Sequence, residues 1–307
     1  MKPARKHVKV RAYSSSANLS VGFDTTAVAL DAFYDEIEIS YNDENRIKST
    51  VTGNTSIPVE NTATKAVEEV FKRAGATFGV DIKLTKGIPV GKGLGSSGAS
   101  AAAGVLAANL MINSKLSMND LVDIAANVEG AFSGTPHADN VSASLLGGFS
   151  FVFSKNPFRA FSIFRDMEFY VAIPEIKTEE AKTKKARESL GMPVDYAQYV
   201  NEKYALIKLI EGVLYGDTTN IAMAINENSY HQQIREQAGL VPFFSDIKSD
   251  LVSNGAEGVC LSGAGPSLII YSTEENFEGK IKDVYSKYNI KVIVKKTKVA
   301  DGAYEVI

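Results

Sequence analysis

Ile88-Pro89-Val90-Gly91-Lys92-Gly93-Leu94-Gly95-Ser96-Ser97-Gly98-Ala99-Ser100, running into an alanine-rich segment that ends at Met111, decides how this 307-residue chain is read. Alternate glycines allow left-handed or closely approached backbone, and the serines open a helix whose first N–H groups lack partners inside it. Free amides and the positive end of a helix dipole together cradle an anion, and phosphate is the natural guest. Two common phosphate loops are excluded by spacing. A Walker loop would need glycine where Lys86 stands and Ser or Thr where Gly93 stands, and a dinucleotide fingerprint would need glycine at Ser96. A glycine-serine linker is the bland alternative; the near-continuous apolar helix from Ser96 to Met111 argues against it.

Composition bounds the rest. The length suits about two domains with a sizeable core. Hydrophobic residues are 45% and charged residues 22%, ordinary for a globular protein. A net charge of −3 argues against general nucleic-acid binding, and no apolar run has the length of a membrane span. The basic start Lys2 to Lys6 leads into alternating Val8-Lys9-Val10-Arg11, a strand pattern rather than a secretory signal. One cysteine, Cys260, excludes internal disulfides, and with three histidines in all a reducing cytoplasm is the simplest setting.

Around the glycine loop the elements fall in order. A strand Val8–Tyr13 is expected to run into a polar loop, Ser14 to Asp24, which reads either as a binding loop or as a plain turn. Alternation predicts strands at Glu36–Tyr41, near Ile47–Val51 and at Val80–Leu84. Asn61 or Thr62 caps a helix that Gly75 stops. Ser117-Met118-Asn119-Asp120 resembles a capping box, and the helix after it turns Leu121, Ala125, Val128 and Phe132 inward. Glu129 lies at the edge of that stripe, where a carboxylate needs a partner: a lysine or backbone group, or a magnesium ion held with a loop serine. Thr135-Pro136-His137-Ala138-Asp139-Asn140 is a candidate substrate or acid/base cluster. Strands at Gly148–Phe153 and Phe158–Phe164 close the first half.

The second half reads as strand Phe169–Ile173, a polar segment Lys177–Ser189, helices over Tyr196–Leu214, Thr218–Glu227 and Val241–Val252, strands Val259–Leu261 and Ser267–Tyr271, helix Phe277–Tyr288 and strand Ile290–Val294. That is the split βαβ, ferredoxin-like order, with a boundary near residue 165. Between the two middle strands lies a second glycine turn, Ser262-Gly263-Ala264-Gly265-Pro266-Ser267.

The loop Pro89-x-x-x-Gly93-Leu94-Gly95-Ser96-Ser97 resembles the nucleotide motif of the GHMP kinases, the small-molecule kinases that act on galactose, homoserine, mevalonate and phosphomevalonate. Ser16-Ala17-Asn18-Leu19-x-x-Gly22-Phe23-Asp24, His137-Ala138-Asp139-Asn140, Ser262 to Ser267 and the region of Arg235 are similar to the homoserine-specific branch across the whole chain. Three departures stand out: Tyr13-Ser14 replaces a usual proline-containing pair, Ser20 a usual glycine and Gly98 a usual alanine.

The resemblance implies an α+β, two-domain GHMP kinase architecture: an N-terminal ribosomal-protein-S5-domain-2-like βα domain over 1–165 that binds ATP, and a C-terminal ferredoxin-like βαββαβ domain over 166–307. It implies ATP-dependent phosphorylation of the side-chain hydroxyl of L-homoserine in threonine biosynthesis, with no nucleic-acid or membrane partner and a homodimeric assembly in the cytoplasm. ATP would be held by Pro89, Val90, Gly91, Lys92, Gly93, Leu94, Gly95, Ser96, Ser97, Gly98 and Ala99, with Asn61 and Gly263, and Mg²⁺ by Ser97 and Glu129. Homoserine would meet Asn18, Asp24, His137, Thr183, Arg187 and Arg235, the arginines suiting a carboxylate. Catalysis would rest on Ser97, Glu129 and whichever of Asp139 and Asn140 faces the hydroxyl. Phosphoryl transfer depends on positioning and charge neutralisation more than on a strong base. The alternatives are a kinase of the same family with another acceptor, and a ligand sensor without catalysis.

Overall fold

Alternation builds the first sheet. In β1 (His7–Ala17), Val8, Val10 and Ala12 turn inward between polar neighbours, and the strand pairs antiparallel with β2 (Thr26–Asn42) from His7 opposite Ser40 to Ala17 opposite Ala27. The structure, a computed structural model, describes residues 2–53, 57–176 and 194–307. β3 (Ile47–Gly53) and β4 (Gly79–Lys86) extend the sheet beyond β2, with β3 parallel to β4. β5 (Phe149–Lys155) pairs with the first residues of β2 and with β6 (Phe158–Ile163). The strand expected to stop at Tyr13 continues through three serines. A register shift after Tyr13 and the Ser14 hydroxyl donating to the Leu30 carbonyl at 2.7 Å keep polar side chains buried in a strand.

Helices cover one face. α1 (Thr62–Ala74) begins at Asn61, whose side chain accepts from the Ala63 and Thr64 amides, and ends at left-handed Gly75. α2 (Ser96–Ile112) is buried almost all round, packing against α1, β1, β2, α3 (Met118–Ser133) and α4 (Asp139–Leu146). The capping box at Ser117 and Asp120 is formed. Phe132, expected to face inward, is instead exposed in the last turn of α3, past the edge of the packed layer. α4 was not legible as a helix, because its eight residues carry too short a pattern.

β7 (Glu168–Pro174), β8 (Gly258–Leu261), β9 (Leu268–Tyr271) and β10 (Val292–Lys298) form the second sheet in the order β10-β7-β9-β8, every adjacent pair antiparallel. With α5 (Tyr196–Tyr215), α6 (Thr218–Ile225), α7 (Tyr230–Gln237) and α8 (Phe244–Ser253) before β8, and α9 (Glu278–Lys287) before β10, this is the ferredoxin-like order. The polar segment Lys177–Ser189 lies outside the described residues. The chain does not end with this sheet: β11 (Tyr304–Glu305) returns to pair with β1. One continuous core joins the two sheets, running from Val8 and Ile37 through Phe149 and Phe169 to Ile221, Cys260 and Ile269, while the far face of the second sheet packs a separate cluster with α8 and α9 that includes Tyr170, Leu251 and Tyr285. No helix among the described residues is long and apolar enough to cross a membrane.

Candidate active site

The floor of the site is set by two charges that strand alternation turns inward. Val80, Ile82 and Leu84 of β4 are buried and Lys86 continues their stripe, while Asp35 precedes buried Ile37 and Ile39 on β2. The Lys86 ammonium contacts the Asp35 carboxylate directly and also donates to the Ser96 carbonyl at 3.0 Å and the Ser100 hydroxyl at 2.8 Å. Asp35 in turn accepts from the Gly87 and Ile88 amides at 3.0 and 3.1 Å and from Ser100 at 2.7 Å. The pair thus ties both ends of the glycine loop to the sheet. Burial lowers the Lys86 pKa against the opposing pull of Asp35.

Above this floor Gly91, Gly93 and Gly95 are all left-handed, and Gly95 caps α2. Gly93 has a second reason to be glycine: a Cβ there would sit 2.2 Å from the Ser262 carbonyl oxygen. The second glycine turn packs onto the first, the Ser262 hydroxyl donating to the Gly93 carbonyl at 2.7 Å. In α2 the Ala99 amide bonds back to the Gly95 carbonyl, so the amides of Ser96, Ser97 and Gly98 lead the helix toward any anion in the loop.

A cleft of about 830 Å³ opens on this loop. Its wall brings together Asn18, Asp24, Asn61, Pro89, Val90, Gly91, Gly93, Leu94, Gly95, Ser96, Ser97, Glu129, His137, Asp139, Asn140, Arg235 and Gly263. Lys92, Gly98 and Ala99 do not line it. Lys92 donates to the carbonyls of Pro174 and Ile176 at 3.3 and 3.2 Å, while Gly98 and Ala99 are buried against the neighbouring layer. Asn61 has its side chain committed to capping α1 and to the Pro58 and Val59 carbonyls. Thr183 and Arg187 lie outside the described residues. A second hollow of about 560 Å³, between α1 and α3, contains none of the expected residues, and its charges pair among themselves, as Arg73 does with Asp123.

Glu129 is buried on α3, and its Oε1 has no hydrogen-bond partner among the described residues. Burial raises its pKa above the ordinary carboxylate range, with His137 and the Ser97 hydroxyl pulling it back. Its Oε2 lies 3.7 Å from His137 Nε2, and His137 Nδ1 donates to the Thr135 carbonyl at 3.0 Å. Among the described residues no group of three or more His, Cys, Asp or Glu side chains is placed to hold a metal. A lone orphaned carboxylate oxygen beside a hydroxyl and a phosphate cradle instead suits a hard cation that keeps phosphate and water ligands.

At the other end, α4 presents Asp139 and Asn140. Asp139 Oδ1 accepts from the Asn140 amide at 2.8 Å, and Asn140 Oδ1 accepts from the Ser15 hydroxyl at 2.9 Å. Asn18 sends Nδ2 to the Gly263 carbonyl at 3.3 Å and accepts from the Asp24 amide at 3.1 Å. Arg235 of α7 donates to the same Gly263 carbonyl at 2.6 Å. Sequence reading missed Asp35, Lys86, Ser100 and Ser15. The signal for the first two was present: an acid and a base each occupy an inward position of an otherwise apolar alternating strand.

Comparison with known proteins identifies the family. Residues 61–148 match the model of the GHMP kinases N terminal domain. Homoserine kinase of Saccharolobus solfataricus is 37% identical over 303 residues, covering 96% of each chain. That of Sulfurisphaera tokodaii is 38% identical over 304 residues, covering 96% of this chain and 98% of its own. The crystal structure of homoserine kinase from Cytophaga hutchinsonii superposes with a TM-score of 0.87 at 29% identity, over 100% of this chain and 99% of that one. Mevalonate kinase of L. major in complex with R-mevalonate, 17% identical with a TM-score of 0.72 over 98% of both chains, shares the fold. The chain belongs to the homoserine kinase family of GHMP kinases.

Proposed function

We propose that this protein transfers the γ-phosphoryl group of ATP to the side-chain hydroxyl of L-homoserine, giving O-phospho-L-homoserine for threonine biosynthesis, with Mg²⁺ assisting. The observation that carries the reading is the single cleft in which a helix-capping glycine loop, an orphaned buried carboxylate and a polar pocket drawn from both halves of the chain converge. The naming of near-full-length relatives as homoserine kinases supports the acceptor.

In this reading the amides of Ser96 and Ser97 and the backbone of Gly91, Gly93, Leu94 and Gly95 receive the phosphate tail, with Pro89, Val90, Asn61 and Gly263 around it. Mg²⁺ supplies charge neutralisation at the phosphoryl oxygens when bound, and Glu129 Oε1 with the Ser97 hydroxyl are the groups that fit it. Asn140 has Oδ1 occupied by Ser15, which leaves its Nδ2 to donate to the acceptor oxygen and orient it. Asn18, Asp24, His137 and Arg235 are assigned to the polar groups of the amino acid, and Thr183 and Arg187 join them on the family resemblance alone. We further divide the chain into a nucleotide part, 1–165, and a second part, 166–307, assign it a homodimeric state on the family resemblance alone, and place it in the cytoplasm, a setting that a buried single thiol suits.

The test is ADP release with ATP and Mg²⁺ across homoserine, mevalonate, shikimate and galactose. Turnover with homoserine is expected, and its absence would sink the reading. Asp139→Asn is expected to keep turnover within about tenfold of the parent, whereas loss of about 10²-fold or more would make Asp139 an essential base.

A further inference from the structure

Asn18, Leu19 and Ser20 have φ of 74°, 42° and 66°, a run of left-handed backbone with no glycine in it. An L side chain at Ser20 costs conformational energy that glycine would avoid, so the hydroxyl should return something. It is fully buried, donates to the Glu227 carbonyl at 2.5 Å and accepts from Gln232 Nε2 at 2.7 Å. Gln232 is itself held at both ends of its amide. Nε2 also reaches the Ser229 hydroxyl at 2.8 Å, and Oε1 accepts from the Leu261 amide at 2.9 Å. Lys248 adds a further donor to the Glu227 carbonyl at 2.9 Å.

Both ends of this contact continue to the acceptor side of the cleft. Two residues before Ser20 stands Asn18, which holds the Asp24 amide. Three residues after Gln232, on the same face of α7, stands Arg235. The Ser20–Gln232 contact therefore ties the loop bearing Asn18 and Asp24 to the helix bearing Arg235, beside the Phe23 ring, 5.2 Å from that of His231, and the Gly263 carbonyl that both Asn18 and Arg235 hold. The phosphate loop has its own fastening through Lys86 and Asp35, and meets the acceptor side only at the second glycine turn, through Ser262 to Gly93. The halves do not need Ser20 to stay together, since the Gly263 amide also bonds the Ala17 carbonyl at 3.1 Å.

We propose that the Ser20 hydroxyl is a positioning residue for the acceptor pocket, fixing its width independently of nucleotide binding. This rests on the assignment of Asn18, Asp24 and Arg235 to the acceptor. The test compares the parent with Ser20→Gly, Ser20→Ala and Gln232→Leu by steady-state kinetics and thermal melting. Ser20→Gly loses the hydrogen bonds but also the left-handed strain, so it is expected to melt within a few degrees of the parent. Its KM for the acceptor should rise about 5- to 30-fold, while KM for ATP stays within about twofold. Ser20→Ala keeps the strained backbone without the bonds, and should melt lower with the same rise in acceptor KM. Gln232→Leu should reproduce the rise, and the double variant Ser20→Gly/Gln232→Leu should add little to either single change. An unchanged acceptor KM in Ser20→Gly, or equal rises for acceptor and ATP, would overturn the proposal. If the parent turns over another of the four acceptors instead of homoserine, that result counts against the substrate reading; the ratio of KM values between Ser20→Gly and the parent, measured on that acceptor, still decides this one.

Discussion

Lys86 and Asp35 are the residues on which the phosphate loop stands, and their energetics are asymmetric. A buried pair is weak evidence of stability in itself, yet removing one member strands the other charge at a cost of about 3–5 kcal/mol. Asp35 keeps three further donors, the Gly87 and Ile88 amides and Ser100, which softens the loss. Lys86→Met is accordingly expected to lower stability by about 3 kcal/mol in urea unfolding, and Lys86→Met/Asp35→Asn to recover part of that. Lys248 gives a different prediction. Burial lowers its pKa from the ordinary 10.5 to about 8. The unfolded chain keeps that proton to higher pH than the native one, so between about 8 and 10.5 stability rises with pH, by roughly 3 kcal/mol over the full window. Below about 8 both states hold the proton and the slope from this group vanishes. In Lys248→Met the rise should disappear, seen as the difference between the two proteins' urea midpoints from pH 7 to pH 10; parallel curves would refute it. At this scale the glycine loop, Glu129 and the His137 to Asn140 cluster were legible in their own pattern, whereas Asn18, Asp24 and Arg235 came from the family resemblance. Ser15, Ser20 and Gln232 were not legible, since a buried hydroxyl or amide acquires meaning only from partners distant in sequence, such as Asn140 at 2.9 Å from Ser15.

The element that organises the nucleotide side is α2, and its closest approach is to α1. Gly104 lies inside α2, where Gly→Ala ordinarily stabilises by about 1 kcal/mol. Here a Cβ would sit 2.6 Å from the Ala63 carbonyl oxygen and 3.0 Å from Ala66 Cβ. Overpacking of that kind costs about 1–3 kcal/mol, so the sign reverses and Gly104→Ala should be destabilising by about 1–2 kcal/mol. The displaced end of α1 carries Thr62, whose hydroxyl donates to the Ser97 carbonyl at 2.9 Å; KM for ATP should therefore rise as well. A stabilised variant with unchanged KM would contradict the packing argument. Both helices were readable from caps and apolar content, as were the capping box of α3 and the strands of the second sheet. The full length of β1 was hidden by Ser14-Ser15-Ser16, which read as loop until the pairing with Leu30, Ala29 and Val28 gives them buried strand positions. α7 was hidden by its polar composition, because His231, Gln232 and Arg235 are buried by tertiary contacts that no periodicity encodes.

On the scale of the whole molecule, the turn from β6 to β7 separates two sheets, and although the far face of the second sheet packs a cluster of its own with α8 and α9, its other face shares the core of the first. Phe169, Val171, Cys260 and Ile269 of the second sheet belong to the same buried cluster as Val10, Ile37 and Leu106. The last residues reinforce the join. Val299 bridges to Leu30, Ala300 donates to the Ala29 carbonyl at 3.0 Å, Ala303 donates to the Ser144 carbonyl of α4 at 2.9 Å, and β11 completes the edge of β1. The order of strands was visible in the sequence, but this return was not, because a two-residue strand leaves no alternation to detect. A shared core makes opening of either half expose apolar surface on the other, which is the condition for a single cooperative transition. Urea unfolding followed by far-UV circular dichroism and by tyrosine emission, the chain having no tryptophan, should give coincident curves. Truncation before Val299 removes buried Val299 and Ala300 together with several backbone bonds, a loss of about 3 kcal/mol or more. Both probes should then shift together to a lower midpoint, with activity lost in step as α4 loses its support. Two separated transitions in the intact protein, or a truncation that moves only one probe, would show that the sheets are held as independent units and that the continuous core carries little of the coupling.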